Sequence, residues 1–228
     1  MPVFGPVRSR RLGLSLGLDI VPAKYCTCNC VYCESGKTTK LSAAPAPYTT
    51  VDEILPELRS RLTDVTPEWL TFSGAGEPTL NSNIGDIIRA IKSEFTIPVC
   101  VLTNGMLLHR PEVRKAIMHA DRVVPTYSTA KPETFARLMH PHADITHDMH
   151  TEGLIRFSRE YEGELQIEIM IVKDVNDTME EMEAVKCVLS DIRYSAVYCN
   201  TVYRPPAFDV RPVDDAALAH LSKVFDRG

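Results

Sequence analysis

Apolar and polar residues alternate with two different periodicities along this 228-residue chain. Six short apolar segments have the length of β-strands, at 12–21, 69–73, 98–102, 122–125, 165–172 and 196–202. Seven other segments carry apolar residues at helical spacing, at 51–62, 84–95, 111–118, 132–138, 147–161, 178–189 and 213–225. Each predicted strand precedes at least one predicted helix, which is the pattern of a parallel sheet with right-handed crossovers. We therefore predict an α/β fold in a single domain over residues 1–228.

The candidate chemistry follows the predicted strands. Six strand–helix units are fewer than the eight that close a full barrel, so an open barrel is expected. Parallel α/β folds form their sites at the carboxyl ends of the strands. Segments rich in cysteine, glycine and small polar residues stand repeatedly at those positions in this chain. The sequence thus predicts one site along one edge of the sheet.

Three cysteines follow the first predicted strand, in a loop that spans about 22–37. Cys26, Cys30 and Cys33 have the spacing Cys-x3-Cys-x2-Cys, and no partner pair of cysteines follows downstream. Three thiolates on one loop can hold three irons of a 4Fe–4S cluster and leave the fourth iron open to an external ligand. An electron-carrying cluster normally takes four protein thiolates, so this spacing favours a cluster that acts on what binds to it.

A zinc site is the alternative from these residues alone, because Cys28 offers a fourth sulfur in the same loop. Cys26, Cys28 and Cys30 alternate within five residues, which is cramped for one tetrahedral ion. Zinc fingers usually use two separated pairs of ligands. A zinc or Fe–S binding module without catalysis therefore remains the second hypothesis.

The cysteine spacing, with Tyr32 directly before the last cysteine, resembles the radical S-adenosylmethionine (radical SAM) superfamily. The resemblance implies an open (β/α)6 partial TIM barrel and a 4Fe–4S cluster on Cys26, Cys30 and Cys33. It implies that SAM binds the open iron and is cleaved reductively to a 5′-deoxyadenosyl radical, which abstracts hydrogen from a substrate. An external electron donor of flavodoxin or ferredoxin type is implied as well, and Tyr32 is implied to lie beside the cofactor.

A glycine-rich segment after the second predicted strand, 73–79, resembles the Gly-Gly-Glu element of that family. Glycine lets a backbone approach a ligand closely, and a carboxylate accepts hydrogen bonds from an ammonium group. The resemblance therefore implies that Gly74, Gly76 and Glu77 contact the methionyl part of SAM. Ala75 interrupts the glycines, and an ordinary tight turn is the alternative.

Two further strand ends carry candidate cofactor contacts. Thr103-Asn104-Gly105 follows the third strand, and the resemblance places Asn104 near the cofactor, although Asn-Gly is also an ordinary turn signal. Ser128 follows the fourth strand, where related sequences often carry an acidic residue. Its hydroxyl is expected to bind the ribose or carboxylate of SAM, or the substrate.

Three arginines are predicted to face the substrate: Arg10, Arg11 and Arg204. Arg204 precedes two prolines that stiffen its loop, and a guanidinium there can pair with a substrate anion. A surface salt bridge is the alternative for Arg204. Glu168 lies in an apolar predicted strand, where a buried carboxylate requires a partner.

The remaining residues with metal-binding or reactive side chains are histidines and cysteines. Four histidines, His140, His142, His147 and His150, allow a second metal site, but a polar loop and helix surface is favoured. Cys199 is expected in the core. The roles of Cys28 and Cys199 are left open.

Composition narrows the partners and the compartment. The formal net charge is −5 and no large basic field is evident, so nucleic-acid binding is not favoured. Seven cysteines without a disulfide framework, and no signal-peptide pattern or apolar run of membrane length, predict a cytoplasmic protein without a membrane partner. The cluster that the resemblance implies would make the protein oxygen-sensitive, which fits a reducing compartment.

The resemblance covers residues 5–206 and is greatest to a subgroup loosely grouped with the wyosine-base tRNA synthetases. A second cysteine cluster is absent from the sequence, and the acidic balance disfavours tRNA. A tRNA-modifying enzyme is therefore the alternative, and a small molecule or a protein is the favoured substrate. The open side of a partial barrel suits a bulky substrate or a protein partner that covers it.

Overall fold

The computed structural model describes residues 2–9 and 11–226. The strands of this part of the chain are β1 (Val3–Ser9), β2 (Gly13–Leu18), β3 (Tyr25–Cys26), β4 (Lys40–Leu41), β5 (Trp69–Phe72), β6 (Val99–Thr103), β7 (Arg122–Pro125), β8 (Glu164–Met170) and β9 (Ala196–Asn200). Its α-helices are α1 (Val51–Leu62), α2 (Ile84–Glu94), α3 (Pro111–Ile117), α4 (Pro132–Met139), α5 (His147–Glu160), α6 (Met179–Leu189) and α7 (Asp215–Ser222). Single-turn 3-10 helices span Pro78–Leu80 and Lys223–Phe225.

Seven strands form the central sheet in the order β1-β2-β5-β6-β7-β8-β9. Every neighbouring pair is parallel except β1 and β2, which form an antiparallel hairpin. The six parallel strands are each followed by at least one helix, so the predicted (β/α)6 partial barrel is confirmed.

Strand β1 was not predicted. The segment Val3–Ser9 contains Gly5 and Pro6, which weaken a strand pattern, and its pairing with β2 shifts register between Phe4 and Val7. Proline is tolerated in a strand at the edge of a sheet, where its missing N–H faces no neighbour. The edge position of β1 therefore explains both its composition and the failure of the periodicity to predict it.

The two faces of the sheet differ in polarity. On β8, Ile167 and Ile169 belong to the main hydrophobic core together with Met182 and Val185 of α6. The alternate residues of β8, Gln166 among them, point to the opposite face. This opposite face lines the lumen of the partial barrel. A separate small apolar cluster of Leu12, Cys100 and Val124, with Trp69 and Leu102 packed against it, fills part of the lumen. The lumen of the partial barrel is thus partly polar.

Arg11, in the turn between β1 and β2, contacts the strands at the opposite edge of the sheet. Its Nη2 atom lies 2.8 Å from Oε1 of Glu168 in β8, and its guanidinium lies over the ring of Tyr198 in β9, 5.4 Å from the centroid. This contact joins the two edges of the open sheet.

Among the described residues, none of the helices combines the length and the apolar composition that crossing a bilayer requires.

Candidate metal-cluster and cofactor site

The cysteine loop lies at the carboxyl end of β2 and is held by its own backbone. Strand β3 within the loop pairs with β4 just after it, and the N–H of Cys33 donates to the carbonyl of Cys30 at 3.2 Å. From outside, the N–H of Val31 donates to the carbonyl of Leu138 near the end of α4, at 3.0 Å. The loop is therefore built against α4 as well as against the sheet.

Four cysteine side chains of this loop, Cys26, Cys28, Cys30 and Cys33, line one cavity of about 60 Å³. The Sγ atom of Cys28 lies 3.8 Å from that of Cys26 and 3.2 Å from that of Cys30. All four are free thiols. Gly74, Ala75 and Gly76 line the same cavity, so the structure brings together two motifs that the sequence predicted to form one site.

Electrostatic interactions within the loop differ among the thiols. The hydrogen bond between the thiols of Cys26 and Cys28 lowers the pKa of Cys26 and raises that of Cys28. Burial raises the pKa of Cys33. The thiolate is the form that binds metal, so cluster binding by these residues releases protons.

The glycine loop packs directly on the cysteine loop. A Cβ atom at Gly76 would lie 2.6 Å from the carbonyl oxygen of Tyr25, and one at Gly74 would lie 2.1 Å from Cγ of Asp19. The N–H of Glu77 donates to that same Tyr25 carbonyl at 3.0 Å. The sequence predicted that these glycines let the backbone approach a ligand. The structure adds a second reason, because a side chain at Gly76 would collide with the cysteine loop and one at Gly74 would collide with Asp19.

Glu77 is 2% exposed and accepts four hydrogen bonds. Its Oε1 atom accepts from the N–H and hydroxyl of Thr79, at 3.1 and 2.6 Å, and from the hydroxyl of Thr103 at 2.6 Å. Its Oε2 atom accepts from the N–H of Asn104 at 2.8 Å. Burial raises the pKa of Glu77, and these donors act in the opposite direction. The carboxylate therefore joins the ends of β5 and β6.

Asn104 lies against the cysteine loop. Its Nδ2 atom donates to Sγ of Cys28 at 3.2 Å and to Sγ of Cys26 at 3.4 Å. Its side chain also exchanges hydrogen bonds with the hydroxyl of Thr27 at 2.8 and 3.0 Å. The Thr-Asn-Gly segment thus does more than turn the chain, because its amide contacts the cysteine sulfurs.

Ser128 is buried at the end of β7, where it contacts β8. Its hydroxyl accepts a hydrogen bond from the N–H of Met170 at 3.0 Å, and its carbonyl accepts one from Nδ2 of Asn176 at 2.9 Å. Because the hydroxyl oxygen is the acceptor in the first bond, its O–H remains a donor.

Tyr32 packs between the cysteine loop and α4. Its hydroxyl donates to Sδ of Met139 at 3.2 Å, and the Sγ atom of Cys30 lies 3.9 Å from the same sulfur. Burial raises the pKa of Tyr32 well above its usual value, so the phenol stays protonated.

The predicted substrate arginines occupy separate places. Arg11 pairs with Glu168 inside the barrel, where Nδ2 of Asn200 also donates to Glu168 at 2.7 Å. The side chain of Arg204 is 73% exposed and pairs with Glu34 of the cysteine loop at 3.2 Å. Arg10 lies outside the described residues.

Sequence reasoning missed the segment after β9 as a cover for the cysteine loop. The N–H of Phe208 donates to the carbonyl of Val31 at 3.2 Å, and the ammonium group of Lys37 lies over the Phe208 ring at 4.7 Å. The ring of His140 meets Phe208 edge-on at 5.3 Å. A lone phenylalanine among prolines carries no periodic signal, so only the tertiary structure reveals this contact.

The prediction of a polar surface is wrong for His150, which is 2% exposed. Its ring stacks on Phe135 at 5.5 Å and packs against Tyr127 at 5.2 Å, because it shares the buried face of α5 with Leu154 and Phe157. Burial lowers the pKa of His150 to about 4. No three His, Cys, Asp or Glu side chains in the described part of the chain are grouped to hold one metal ion. Cys199 packs against the main core, as expected.

An open barrel of six βα units, with a Cys-x3-Cys-x2-Cys loop after its first parallel strand, defines the class of radical SAM proteins. The family model described as the radical SAM superfamily matches residues 20–185, so the chain belongs to that superfamily. Within it, the chain belongs with the UPF0026 proteins. It is 33% identical over 227 residues to the UPF0026 protein of Methanocaldococcus jannaschii, covering 98% of this chain and 70% of that protein.

A relative from Brachyspira hyodysenteriae, named GTPase Obg, is 36% identical over 226 residues. The match covers 98% of this chain but 33% of that protein, so the chain spans about a third of that relative's length.

Solved structures share the fold at low sequence identity. Streptococcus suis SuiB bound to S-adenosylmethionine has a TM-score of 0.68 at 17% identity, over 91% of this chain and 46% of that one. TYW1 with a lysine-pyruvate adduct bound has a TM-score of 0.63 at 14% identity, over 95% of this chain and 74% of that one.

Proposed function

We propose that this protein is a radical SAM enzyme in which Cys26, Cys30 and Cys33 hold a 4Fe–4S cluster. The observation that carries the proposal is the shared cavity, lined by the cysteines on one side and by Gly74 and Gly76 on the other. When bound, the cluster supplies the electron that cleaves SAM to methionine and a 5′-deoxyadenosyl radical, which abstracts hydrogen from a substrate. The thiol donor set fits such a cluster, because Fe–S clusters are held by cysteine thiolates.

The residues around the cavity divide into those that contact SAM and those that hold the contacting groups. We propose that the backbone of Gly74 and Gly76 meets the methionyl part of SAM. Glu77 takes part by positioning, because its carboxylate already accepts as many hydrogen bonds as a carboxylate normally does. Ser128, through its free O–H, and Tyr32 complete the proposed cofactor contacts.

The substrate site that we propose is the polar lumen of the open barrel. Arg11 and Glu168 lie there with Asn200, and Nη1 of Arg11 and Oε1 of Gln166 are buried without a hydrogen-bond partner. A substrate that offers an acceptor and a donor to these atoms would satisfy both. Arg204 is exposed beside the cysteine loop and is available to a partner that covers it. Arg10 stays a prediction.

The substrate class follows from charge and from the open side of the barrel. We favour a small molecule or a peptide, since a net charge of −5 gives no general attraction to nucleic acid. Among the similar structures, SuiB is also known with a precursor peptide bound, and TYW1 with a lysine-pyruvate adduct. Modification of tRNA is the competing proposal, and binding of tRNA that falls steeply with salt would favour it.

The protein partner that we propose is an external electron donor of flavodoxin or ferredoxin type. A cytoplasmic, reducing compartment is proposed for the same chemistry, because an exposed cluster is sensitive to oxygen. We further propose that residues 1–228 act as one domain, which the single central sheet supports.

The test is anaerobic reconstitution with iron and sulfide, followed by SAM and a reductant. Wild-type protein should release 5′-deoxyadenosine and methionine, and Cys30→Ala should lose both the cluster and the release. Cys187→Ala is the matched control, because Cys187 is an exposed thiol on α6. Zinc instead of iron and sulfide in anaerobically purified protein, or unchanged release by Cys30→Ala, would contradict the proposal.

A further inference from the structure

We propose that Asn104 is a positioning residue whose amide donates a hydrogen bond to a cluster-ligating sulfur and thereby raises the reduction potential of the cluster. This inference rests on the proposed cluster at Cys26, Cys30 and Cys33. Asn104 comes from the end of β6, and Cys26 from the loop after β2, so the contact joins two segments 78 residues apart.

The donor is within reach of two sulfurs. Nδ2 of Asn104 lies 3.4 Å from Sγ of Cys26, which is a proposed ligand, and 3.2 Å from Sγ of Cys28. These distances are normal for a nitrogen donor and a sulfur acceptor, because a sulfur atom is larger than an oxygen atom. Each sulfur that binds iron carries negative charge, which strengthens such a bond.

Reversing the side-chain amide of Asn104 would break a hydrogen bond to its oxygen. The N–H of Met106 donates to Oδ1 of Asn104 at 3.1 Å, so the oxygen must occupy the side facing that donor. With Oδ1 fixed there, the two N–H groups of Nδ2 face Thr27 and the sulfurs. The backbone N–H of Met106 can only donate, so it fixes Oδ1 on its own side and Nδ2 on the side of the sulfurs.

The backbone of Asn104 is also held on both sides. Its N–H donates to the buried carboxylate of Glu77 at 2.8 Å, and its carbonyl accepts from Nε2 of His150 at 3.1 Å. The low pKa of His150 keeps this imidazole neutral at physiological pH, with the proton on Nε2 fixed by the acceptor. None of these contacts involves a cysteine, so the donor stays in place when the sulfurs adjust to a cluster.

A hydrogen-bond donor held beside a ligating sulfur changes the reduction potential of the cluster. Hydrogen bonds to the sulfurs are among the factors that set the potential of an Fe–S cluster. Reduction adds negative charge to the cluster and its ligands, so a donor stabilises the reduced form more than the oxidised form. The contact between Asn104 and Cys26 is partly buried, and the lower dielectric there than in water increases this difference. Removal of the donor should therefore make the cluster harder to reduce.

The experiment is an anaerobic redox titration of the reconstituted protein without SAM, followed by electron paramagnetic resonance. Asn104→Ala removes the donor, and Asn83→Ala makes the same change at the start of α2, away from the cysteine loop. We expect Asn104→Ala to lower the one-electron equilibrium constant for reduction at least tenfold, which corresponds to about 59 mV. We expect Asn83→Ala to match the wild type within threefold.

Iron and sulfide content separate this inference from the assignment of the cluster. If wild-type protein binds no cluster, the proposed function fails before the potential is measured. If Asn104→Ala holds the cluster at the wild-type potential, the inference is overturned while the function stands. If Asn104→Ala holds too little iron, Asn104→Ser replaces it, because a serine hydroxyl is an acceptor for the N–H of Met106 but is too short to reach the sulfurs. The same negative shift supports the proposal, and an unchanged potential rejects it.

Discussion

Cys28 is the residue whose position in the site is least expected from the sequence. It is buried, its Sγ atom lies between those of Cys26 and Cys30, and its carbonyl accepts a hydrogen bond from the hydroxyl of Thr38 at 2.8 Å. The resemblance to the radical SAM superfamily uses the other three cysteines of the loop. The spacing alone therefore leaves Cys28 without a ligand role, although its sulfur shares their cavity.

A substitution tests whether Cys28 is a ligand of the cluster. Cys28→Ser keeps nearly the same size and replaces the thiol with a hydroxyl, so we expect iron and sulfide content close to that of the wild type and continued release of 5′-deoxyadenosine. Iron and sulfide analysis after anaerobic reconstitution measures this. Loss of the cluster in Cys28→Ser, to the extent seen in Cys30→Ala, would make Cys28 a ligand.

At the scale of single elements, periodicity predicted most of the secondary structure. The predicted bounds of α1 and β7 agree with the structure, because Thr50 and Glu53 form a capping box that begins α1 and because Val123 and Val124 are a short buried run. The failures have local causes. Strand β1 contains residues that weaken strands, and the buried face of α5 carries a histidine where a periodic pattern expects an apolar residue.

The buried histidine on α5 predicts a specific pH dependence. The pKa of His150 is lowered from 6.5 to about 4, so the unfolded chain binds a proton that the folded chain does not between these values. Stability is therefore fully present above about pH 6.5 and is lost as the pH falls toward 4. The loss due to His150 is about 3 kcal/mol at pH 4.

Urea unfolding of cluster-free protein across pH 7 to 4 measures this effect without interference from acid loss of iron. His150→Gln keeps an N–H donor for the carbonyl of Asn104 and does not titrate. We expect the variant to lose about 3 kcal/mol less than the wild type over this range. Equal slopes for the two proteins would show that His150 is protonated in the fold.

At the scale of the whole molecule, Arg11 links the first and last strands of the open sheet. Arg11 of the β1–β2 turn binds Glu168 and covers Tyr198, which lie on the last two strands. The sequence indicated that Glu168 needs a partner but not which one, because the two residues are 157 positions apart and no periodicity links them. The same reason hides the pairing of Arg204 with Glu34.

Loss of Arg11 should leave Glu168 partly buried without its cation. Arg11→Ala is expected to lower the free energy of unfolding by roughly 2 kcal/mol, because a charged group without its partner keeps its desolvation cost. Adding Glu168→Gln to this variant should restore part of the loss. Chemical denaturation of the four proteins of this double-mutant cycle gives the coupling energy. A coupling near zero would assign the contact no stabilising role.

The most direct test of the cluster assignment is the electron paramagnetic resonance spectrum of the reduced wild-type protein with and without SAM labelled with ¹⁵N at the methionyl amine. We predict that SAM changes the spectrum and that the labelled nitrogen couples to the cluster. An unchanged spectrum with no nitrogen coupling, at full iron content, would mean that SAM does not bind the cluster and would contradict the assignment of an open iron.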